Sequence, residues 1–310
     1  MIVSIIIPVF NRLEYTQKCL ESIFKFGSKY TFEIIVVDNA SSDGTRGYLD
    51  SLGKKIITIH SDKNLGFSRA CNVGASVASG EFLLFLNNDT VVTKNWLDVL
   101  VEELETNIEV AIAGSKLLFP DETIQHAGVV FGEDKIPYHI YAREIKEKHY
   151  VNKKRKFNAL TAACMLVRKE IFDKVGGFDE NFLNGYEDID LCLKIRELGS
   201  DIMYCPESVV YHYESISEGR GDKHKENREL FLQKWSNTVK QDDYLYRKED
   251  ETQSEFLLIR NQKNEIQNLK NKLLEKDEEF RKKNEEFEFV KSSKFWKLRT
   301  EYLKIKKYLK

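Results

Sequence analysis

The chain has 310 residues, of which 42% are hydrophobic and 32% are charged, and its formal net charge at pH 7 is −2. This length allows one large domain with an appendage, or two domains. The slightly negative charge argues against a nucleic-acid-binding protein, and no hydrophobic run approaches the ~18 residues that would span a bilayer.

The five cysteines are odd in number, widely spaced and without a Cys-x-x-Cys pair. This usage favours reduced core thiols in a cytoplasmic protein over a disulfide framework or a zinc site. The first ten residues are hydrophobic, but they lack the basic region and the small-residue cleavage site of a signal peptide. We therefore expect this segment to form a buried strand.

Short hydrophobic strands alternate with helical patterns through the first half of the chain. Strands are predicted at residues 2–8, 32–37, 55–60 and 81–86. Helical patterns lie between them, at residues 15–24, 42–52 and 68–77. This alternation predicts an α/β fold, with a mostly parallel sheet and helices on both faces. Ligands bind such sheets at the carboxyl ends of the strands, where the sequence has Asn11, Asp38, Asn39 and residues 87–89.

The second half of the chain is less regular. Residues 110–131 are predicted as strands, and residues 132–156 as a charged, turn-rich insert. The elements predicted after the insert are a strand at 158–167, a helix at 169–175, a helix at 187–198 and a strand at 201–205. The polar, glycine-bearing stretch 214–226 is expected to be mobile.

From about residue 250 the chain consists of helix-forming residues without Pro or Gly. Hydrophobic side chains recur every seven positions, at Ile259, Ile266, Leu273, Phe280 and Phe287. The second position of each heptad is weaker, so we expect residues 250–291 to form a long helix that pairs with its own copy or with another protein. A solvated single helix with incidental periodicity is the alternative.

Residues 292–310 interleave aromatic and aliphatic residues with basic ones. Between residues 291 and 310, eight Lys and Arg residues stand against Glu301 alone. This pattern predicts a helix on the anionic inner face of a membrane, whereas docking on the globular domain is the alternative. The sequence thus predicts three parts, at residues 1–245, 250–291 and 292–310.

A cluster of carboxylates stands where a glycine-containing loop becomes a helix, in Asn-Gly-Tyr-Glu-Asp-Ile-Asp-Leu-Cys at 184–192. Acids in a first helical turn face the positive end of the helix dipole, which favours the ionised form. Such a carboxylate can accept a proton from a substrate hydroxyl. Because Glu and Asp are common in first turns, this motif carries weight only together with others upstream.

The first upstream motif combines Pro-Val-Phe-Asn at 8–11 with Val-Val-Asp-Asn-Ala-Ser-Ser-Asp-Gly at 36–44. Asp38 in this motif can accept hydrogen bonds from a base or a ribose. The second motif, Asn-Leu-Gly-Phe-Ser-Arg at 64–69, opens a helix with small residues and a cation, which suits a diphosphate. It is neither a Walker loop nor a G-x-G-x-x-G fingerprint.

The third upstream motif is Leu-Asn-Asn-Asp-Thr at 86–90. Its carboxylate, Asp89, together with His212 from the other half of the chain, can coordinate Mg²⁺ or Mn²⁺ beside phosphate oxygens.

In this order and spacing the motifs resemble glycosyltransferase family 2, the inverting enzymes with the Rossmann-like GT-A fold, and especially its rhamnosyltransferase-like members. The resemblance covers about residues 1–215 and includes the Gly-Gly-Phe-Asp-Glu turn at 176–180. It implies a GT-A domain, to which the long C-terminal helix or coiled coil is appended.

The resemblance also implies roles for individual residues. Asp188 would be the catalytic base, and Glu187 would position the acceptor or the loop. Asp89 would bind the metal, with His212 as a second ligand. The donor-binding residues that it implies are Pro8, Phe10, Asn11, Asp38, Asn39, Asn64, Arg69, Asn88, Asp89, Thr161 and Ala162.

Within that donor set the resemblance distinguishes three regions. Asp38 would contact the nucleotide base, Arg69 would lie near the diphosphate, and residues 161–163 would line the sugar pocket.

The implied cofactor is a divalent cation, Mn²⁺ or Mg²⁺. This chain has Asn87-Asn88-Asp89 where many members have two acids, so donor phosphates would supply the remaining charge. The implied donor is a dTDP- or UDP-sugar with rhamnose as the sugar, and the implied acceptor is a glycan or a lipid-linked glycan in surface-polysaccharide synthesis.

Two other functions fit parts of the sequence. A nucleotidyltransferase would need a glycine-rich, basic loop after the first strand, which residues 11–14 do not supply. A non-catalytic tether would use the C-terminal helix and tail to recruit partners to a membrane, with an idle sugar-nucleotide domain.

Overall fold

A computed structural model describes residues 2–213 and 224–309 of the chain. The chain falls into two units, residues 1–243 and residues 244–310. Of the stretch that the sequence predicts to be mobile, residues 214–223 lie outside the described residues, and residues 224–226 form the first turn of a helix.

The strands are β1 (Ile2–Val9), β2 (Thr31–Asp38), β3 (Ile57–His60), β4 (Phe82–Leu86), β5 (Thr90–Val92), β6 (Val110–Leu118), β7 (Ile124–His126), β8 (Val129–Phe131), β9 (Pro137–His139), β10 (Arg155–Lys156), β11 (Cys164–Arg168) and β12 (Asp201–His212). The helices are α1 (Leu13–Phe26), α2 (Thr45–Ser51), α3 (Phe67–Val77), α4 (Trp96–Thr106), α5 (Lys169–Lys174), α6 (Glu187–Glu197), α7 (His224–Trp235), α8 (Asp243–Glu249), α9 (Gln253–Ser292) and α10 (Lys294–Tyr308).

A central sheet organises the first unit, with strand order β10-β12-β6-β11-β4-β1-β2-β3. Strands β1 to β4 run parallel to one another, and β12 runs parallel to β6. Strand β11 lies antiparallel between β4 and β6. The side chains of residues 3–9 and 82–86 are all buried, as expected for central parallel strands with both faces covered. The predicted α/β architecture is therefore confirmed.

The strand predicted at residues 158–167 is wrong in its first half, because β11 begins only at Cys164. Before it, Ala159 forms only an isolated bridge with Val129, and two of the following amides are bonded to residues of α6. The Leu160 amide donates to Cys192 Sγ at 3.4 Å, and the Ala162 amide donates to Asp188 Oδ2 at 3.2 Å. Leu160 and Ala162 therefore contact α6 and do not extend β11.

The strand predicted at residues 201–205 is too short, because β12 continues to His212. Pro206 interrupts the hydrogen-bonding pattern, since proline has no amide donor, and the register shifts between Cys205 and Val209. The strand then resumes and pairs antiparallel with β5, where His212 stands opposite Thr90. This extension brings His212 beside Asp89.

Helix α3 packs closely on β1 and β2. A Cβ atom at Gly74 would lie 2.5 Å from Cγ2 of Ile6, so only glycine allows this approach. The close packing places the N-terminus of α3 at the carboxyl ends of the parallel strands.

The second unit contains the two longest stretches of exposed hydrophobic side chains. Helix α9 runs unbroken for 40 residues, and its five heptad residues from Ile259 to Phe287 are 42 to 65% exposed. The chain breaks at Ser293, whose side chain accepts a hydrogen bond from the Trp296 amide at 3.2 Å and so caps α10. Among the helices of residues 2–213 and 224–309, none has both the length and the hydropathy needed to cross a bilayer.

His126 is a buried histidine whose two ring nitrogens have no hydrogen-bond partner. Its side chain is 1% exposed, and its ring packs 4.8 Å from that of His139. Burial lowers the pKa of His126 well below its ordinary value, and the charges of His139 and His212 act in the same direction. The folded protein therefore holds His126 neutral.

The substitution His126→Phe should reduce the acid sensitivity of folding. The unfolded chain protonates His126 near its ordinary pKa of about 6.5 whereas the folded chain does not, so wild-type stability falls as pH drops below that value. Between about pH 7.5 and pH 5.5 this difference amounts to about 1.4 kcal/mol. Urea unfolding at both pH values measures it, with the exposed His149→Asn as the control. An equal pH dependence of wild type and His126→Phe would contradict the assignment.

Candidate active site

A cavity of about 200 Å³ opens at the carboxyl ends of β1 and β4. Six segments that are separate in sequence contribute its walls. The lining residues are Pro8, Val9, Phe10, Asn39, Asn64, Gly66, Phe67, Asn87, Asn88, Asp89, Thr161, Ala162, Ala163, Asn184, Gly185, Glu187 and Asp188. Most of the residues that the sequence singled out therefore meet in one place.

Asp38 does not line the cavity, although it ends β2 as predicted. Its side chain is 1% exposed; Oδ1 accepts a hydrogen bond from the Ser41 amide, and Oδ2 lies 2.9 Å from Nδ1 of His60. The next residue, Asn39, takes the position at the cavity wall. The structure therefore presents Asn39, with Asp38 holding the turn behind it.

His60 connects Asp38 to helix α2. Its Nε2 lies 2.9 Å from Oδ1 of Asp50. Burial opposes protonation, but the hydrogen bonds to Asp38 and Asp50 raise the pKa of His60 above its ordinary value.

Asn11 also acts beside the cavity and does not line it. Its backbone is in the left-handed region, with φ of 56°, and its Oδ1 accepts a hydrogen bond from the Ser42 amide at 2.7 Å. The Asn11 amide donates to Ser41 Oγ at 2.8 Å. Asn11 therefore ties the end of β1 to the turn after β2.

The N-terminus of α3 faces the cavity through Gly66 and Phe67. Asn64 Oδ1 accepts a hydrogen bond from the Gly66 amide at 2.9 Å, and the Phe67 amide donates to Asn184 Oδ1 at 3.3 Å. Arg69 lies outside the lining. Its Nε is 3.4 Å from Oε2 of Glu180, and its side chain is 54% exposed. The role near the diphosphate that the resemblance implies for Arg69 therefore stays a prediction.

Asp89 in the third motif and His212 at the end of β12 face each other. His212 Nε2 lies 3.0 Å from Oδ1 of Asp89 and 3.1 Å from Nδ2 of Asn87. Gln125 Nε2 donates to the His212 carbonyl, so its Oε1 faces His212 Nδ1, at 2.6 Å. The ring is thereby held between Gln125 on the Nδ1 side and Asn87 and Asp89 on the Nε2 side.

This pair fits one edge of a divalent-cation site. An octahedral ion with ligand distances of about 2.1 Å holds neighbouring ligand atoms about 3 Å apart, which agrees with the separation of Asp89 Oδ1 and His212 Nε2. A carboxylate oxygen and an imidazole nitrogen are suitable ligands for Mn²⁺. Across the described residues, no group of three or more His, Cys, Asp or Glu side chains is arranged to hold a metal.

Asp188 lies in the first turn of α6 and lines the cavity. Its Oδ2 accepts a hydrogen bond from the Ala162 amide at 3.2 Å, and its Oδ1 accepts one from the Ile189 amide at 2.9 Å. A carboxylate has about four acceptor positions, so Asp188 keeps capacity for a ligand while its orientation is held. Buried Glu187 accepts a hydrogen bond from the Gly185 amide, which closes the loop before α6.

Sequence reasoning did not single out Asn184 and Gly185 as cavity residues. Both have positive φ, 60° for Asn184 and 143° for Gly185, and Tyr186 follows with 73°. The Asn-Gly pair is a local signal for such a turn, because both residues tolerate the left-handed region. The pattern would have predicted a sharp turn before α6, though not that its side chains reach α3.

The sequence profile of Glycosyl transferase family 2 matches residues 4–176, which is more than half of the chain. The chain belongs to glycosyl transferase family 2. The predicted class of enzyme, a glycosyltransferase, is thereby confirmed at the level of the family. The match covers the motifs from Pro8 to Ala163 but stops before the carboxylate motif at 184–192.

Two relatives are similar over a longer part of the chain than the family profile. The uncharacterized protein y4gI of Sinorhizobium fredii is 35% identical over 231 residues, 71% of this chain and 25% of the relative. The O-antigen biosynthesis protein RfbC of Myxococcus xanthus is 33% identical over 223 residues, 69% of this chain and 17% of the relative. The chain therefore spans a quarter or less of the length of these two family 2 relatives.

Among solved structures, GalNAc-T7 with UDP, GalNAc and Mn²⁺ is similar with a TM-score of 0.61 and 16% sequence identity. The similarity covers 81% of this chain and 54% of GalNAc-T7. At this identity the comparison shows the fold, and the predicted GT-A fold of this family 2 member is confirmed.

The substitution Asp89→Asn should remove any gain in nucleotide affinity that Mn²⁺ provides. The amide loses the negative charge that would hold the cation, and we expect an affinity loss of at least about 10-fold in the presence of Mn²⁺. Calorimetric titration with UDP, dTDP and GDP, each with and without Mn²⁺, measures the effect. Asp277→Asn on α9 is the matched control. A Mn²⁺-dependent gain that survives in Asp89→Asn would exclude Asp89 as a ligand.

Proposed function

We propose that this chain is an inverting glycosyltransferase that uses a dTDP- or UDP-sugar donor, with rhamnose as the sugar. The acceptor is a hydroxyl of a glycan or a lipid-linked glycan in surface-polysaccharide synthesis. The observation that carries the proposal is that Asp188, oriented by the Ala162 amide, lines the same cavity as Asp89. The name of the relative RfbC supports the biosynthetic setting.

The donor's diphosphate fits between the N-terminus of α3 and the Asp89–His212 pair. The dipole of a helix attracts anions to its N-terminus, and Gly66 and Phe67 stand at that end of α3. Asp89 and His212 would hold a divalent cation, which supplies positive charge to the departing diphosphate. Asn39 and Asn64 offer amide groups to the nucleoside at the neighbouring wall.

The acceptor hydroxyl is deprotonated by Asp188 in this proposal. As the oxygen attacks the anomeric carbon, its proton passes to the Asp188 carboxylate, and the bond from that carbon to the diphosphate breaks on the opposite face. Attack and departure on opposite faces invert the anomeric configuration. Thr161, Ala162 and Ala163 are small side chains that leave room for the sugar at this wall.

The substitution Asp188→Asn should lower turnover by about 10²- to 10⁴-fold while nucleotide affinity stays close to that of the wild type. The asparagine keeps the size, and its single oxygen can accept one of the two hydrogen bonds from the Ala162 and Ile189 amides, but it cannot take the proton. Thermal stabilisation by UDP, dTDP and GDP, and transfer or hydrolysis with the corresponding sugars, measure the two quantities. Near-normal turnover of Asp188→Asn would exclude Asp188 as the base. The absence of both binding and hydrolysis with every donor would favour the non-catalytic tether.

The C-terminal helices are proposed to attach this enzyme to partners. Helix α10 carries six Lys and Arg residues against Glu301, and its exposed residues Phe295, Leu298, Tyr302 and Ile305 follow the spacing of one helix face. Its charge suits peripheral binding to anionic lipid at the inner face of the membrane. The exposed heptad residues of α9 suit self-association.

Substitutions in α9 and in α10 should affect self-association and membrane binding independently. Ile266→Asp with Leu273→Asp should reduce the mass in sedimentation equilibrium to that of a monomer, because charges at the seam oppose pairing, and should leave vesicle binding intact. Lys306→Glu with Lys307→Glu should release the chain from phosphatidylglycerol vesicles without changing its mass. A monomeric wild type would overturn the proposed self-association. Equal binding of the wild type to phosphatidylcholine and phosphatidylglycerol vesicles would overturn the proposed membrane binding.

A further inference from the structure

Helix α7 presents one face to the residues that precede and begin α6. Asn227, Phe231, Lys234 and Trp235 occupy positions i, i+4, i+7 and i+8, which lie on one side of a helix. Each of these side chains contacts a residue between 179 and 190. The function proposed for Asp188 assigns no role to this helix.

The first two contacts hold the loop itself. Asn227 is buried, and its amide makes two hydrogen bonds with the backbone of Leu183. Oδ1 accepts from the Leu183 amide at 3.2 Å, and Nδ2 donates to the Leu183 carbonyl at 2.9 Å. One turn later, the ring of Phe231 packs 5.2 Å from the ring of Tyr186.

The other two contacts converge on the carboxylate of Asp190, whose side chain is fully buried. Trp235 Nε1 donates to Asp190 Oδ1 at 2.9 Å, and Lys234 Nζ lies 2.5 Å from the same oxygen. Lys194 Nζ is 3.1 Å from Oδ2. Lys234 also pairs with Asp179 at 2.7 Å, so one cation joins both ends of the loop.

The loop requires such support because its backbone is strained. Asn184 and Tyr186 are non-glycine residues with positive φ on either side of Gly185. Conformations of this kind cost free energy and persist only where the surroundings over-determine them. Asp188 follows two residues after Tyr186, so a relaxation of the loop would displace the proposed base and the Asn184 contact to α3.

We propose that α7 is a brace that positions Asp188, with Asn227, Lys234 and Trp235 as its positioning residues. Its catalytic consequence rests on the function proposed for Asp188, whereas its effect on the loop does not. The brace predicts that weakening α7 loosens residues 183–188 while the parallel strands remain intact.

Hydrogen exchange of the full chain tests the brace without any substrate. Asn227→Ala and Lys234→Met should speed exchange of the amides between residues 183 and 189 by about 10-fold or more, with β1 and β4 unchanged. Lys234→Arg keeps the cation and should restore protection, and Gln233→Ala, exposed on the same helix, should exchange like the wild type. Unchanged exchange at 183–189, or equal acceleration throughout the first unit, would overturn the brace.

Kinetics with the UDP-, dTDP- or GDP-sugar that supports turnover tests the consequence for catalysis. Displacement of a catalytic group by about 1 Å can cost about 100-fold in rate, so Lys234→Met should lower kcat by about 10- to 100-fold and leave the donor KM near the wild-type value. Lys234→Arg should recover kcat. A rise in KM alone would contradict a positioning role, and inactivity of the wild type with a normal exchange pattern would refute the proposed function but not the brace.

Discussion

Parallel strands deliver their carboxyl ends to one edge of a sheet, and polar side chains buried at that edge need hydrogen-bond partners. In this chain one of two neighbouring residues is hydrogen-bonded within the protein, and the other faces the cavity. Asp38 finds its partners within the protein, in His60 and the Ser41 amide, while Asn39 faces the cavity. The same division recurs at the third motif, where Gln125 fixes the ring of His212 and leaves its other nitrogen directed at Asp89. Residues whose hydrogen bonds are satisfied within the protein, such as Asp38 and Gln125, thus orient the residues beside the cavity.

The fold was predictable where hydrophobic runs and turn signals agree. Strands β1 to β4 are short β-branched or aromatic runs at regular spacing, and a parallel sheet follows from that pattern. The pattern fails where tertiary contacts override it. Residues 158–163 read as a strand, but Leu160 and Ala162 give their amides to groups near α6. Helix α7 was not predicted, because the face that it turns toward α6 carries Asn227 and Lys234 as well as aromatic rings. These polar residues interrupt the hydrophobic repeat by which an amphipathic helix is predicted.

The position of the site was easier to predict than the direction of its side chains. Motif order identifies the family and places Asp89, Asp188 and Asn64 at one cavity. It does not reveal that Arg69 pairs with Glu180 and lies outside the cavity lining, since that contact joins residues about a hundred positions apart. The partners of Asp190 outside α6 were equally hidden, because Lys234 and Trp235 belong to α7, which begins at His224.

The break at Ser293 changes the phase of the hydrophobic pattern as well as the course of the chain. The seam of α9 recurs every seven residues up to Phe287 and would next fall on Lys294, but the seam of α10 starts at Phe295. One residue corresponds to a rotation of about 100° around a helix. Phe295 therefore lies one residue past the heptad register of α9, and the extended Ser293 interrupts the helix between the two seams. Deleting one residue before Phe295 would move it to the next heptad position after Phe287, whereas inserting one would take it further away. The self-association proposed for α9 and the membrane binding proposed for α10 would therefore use separate stripes.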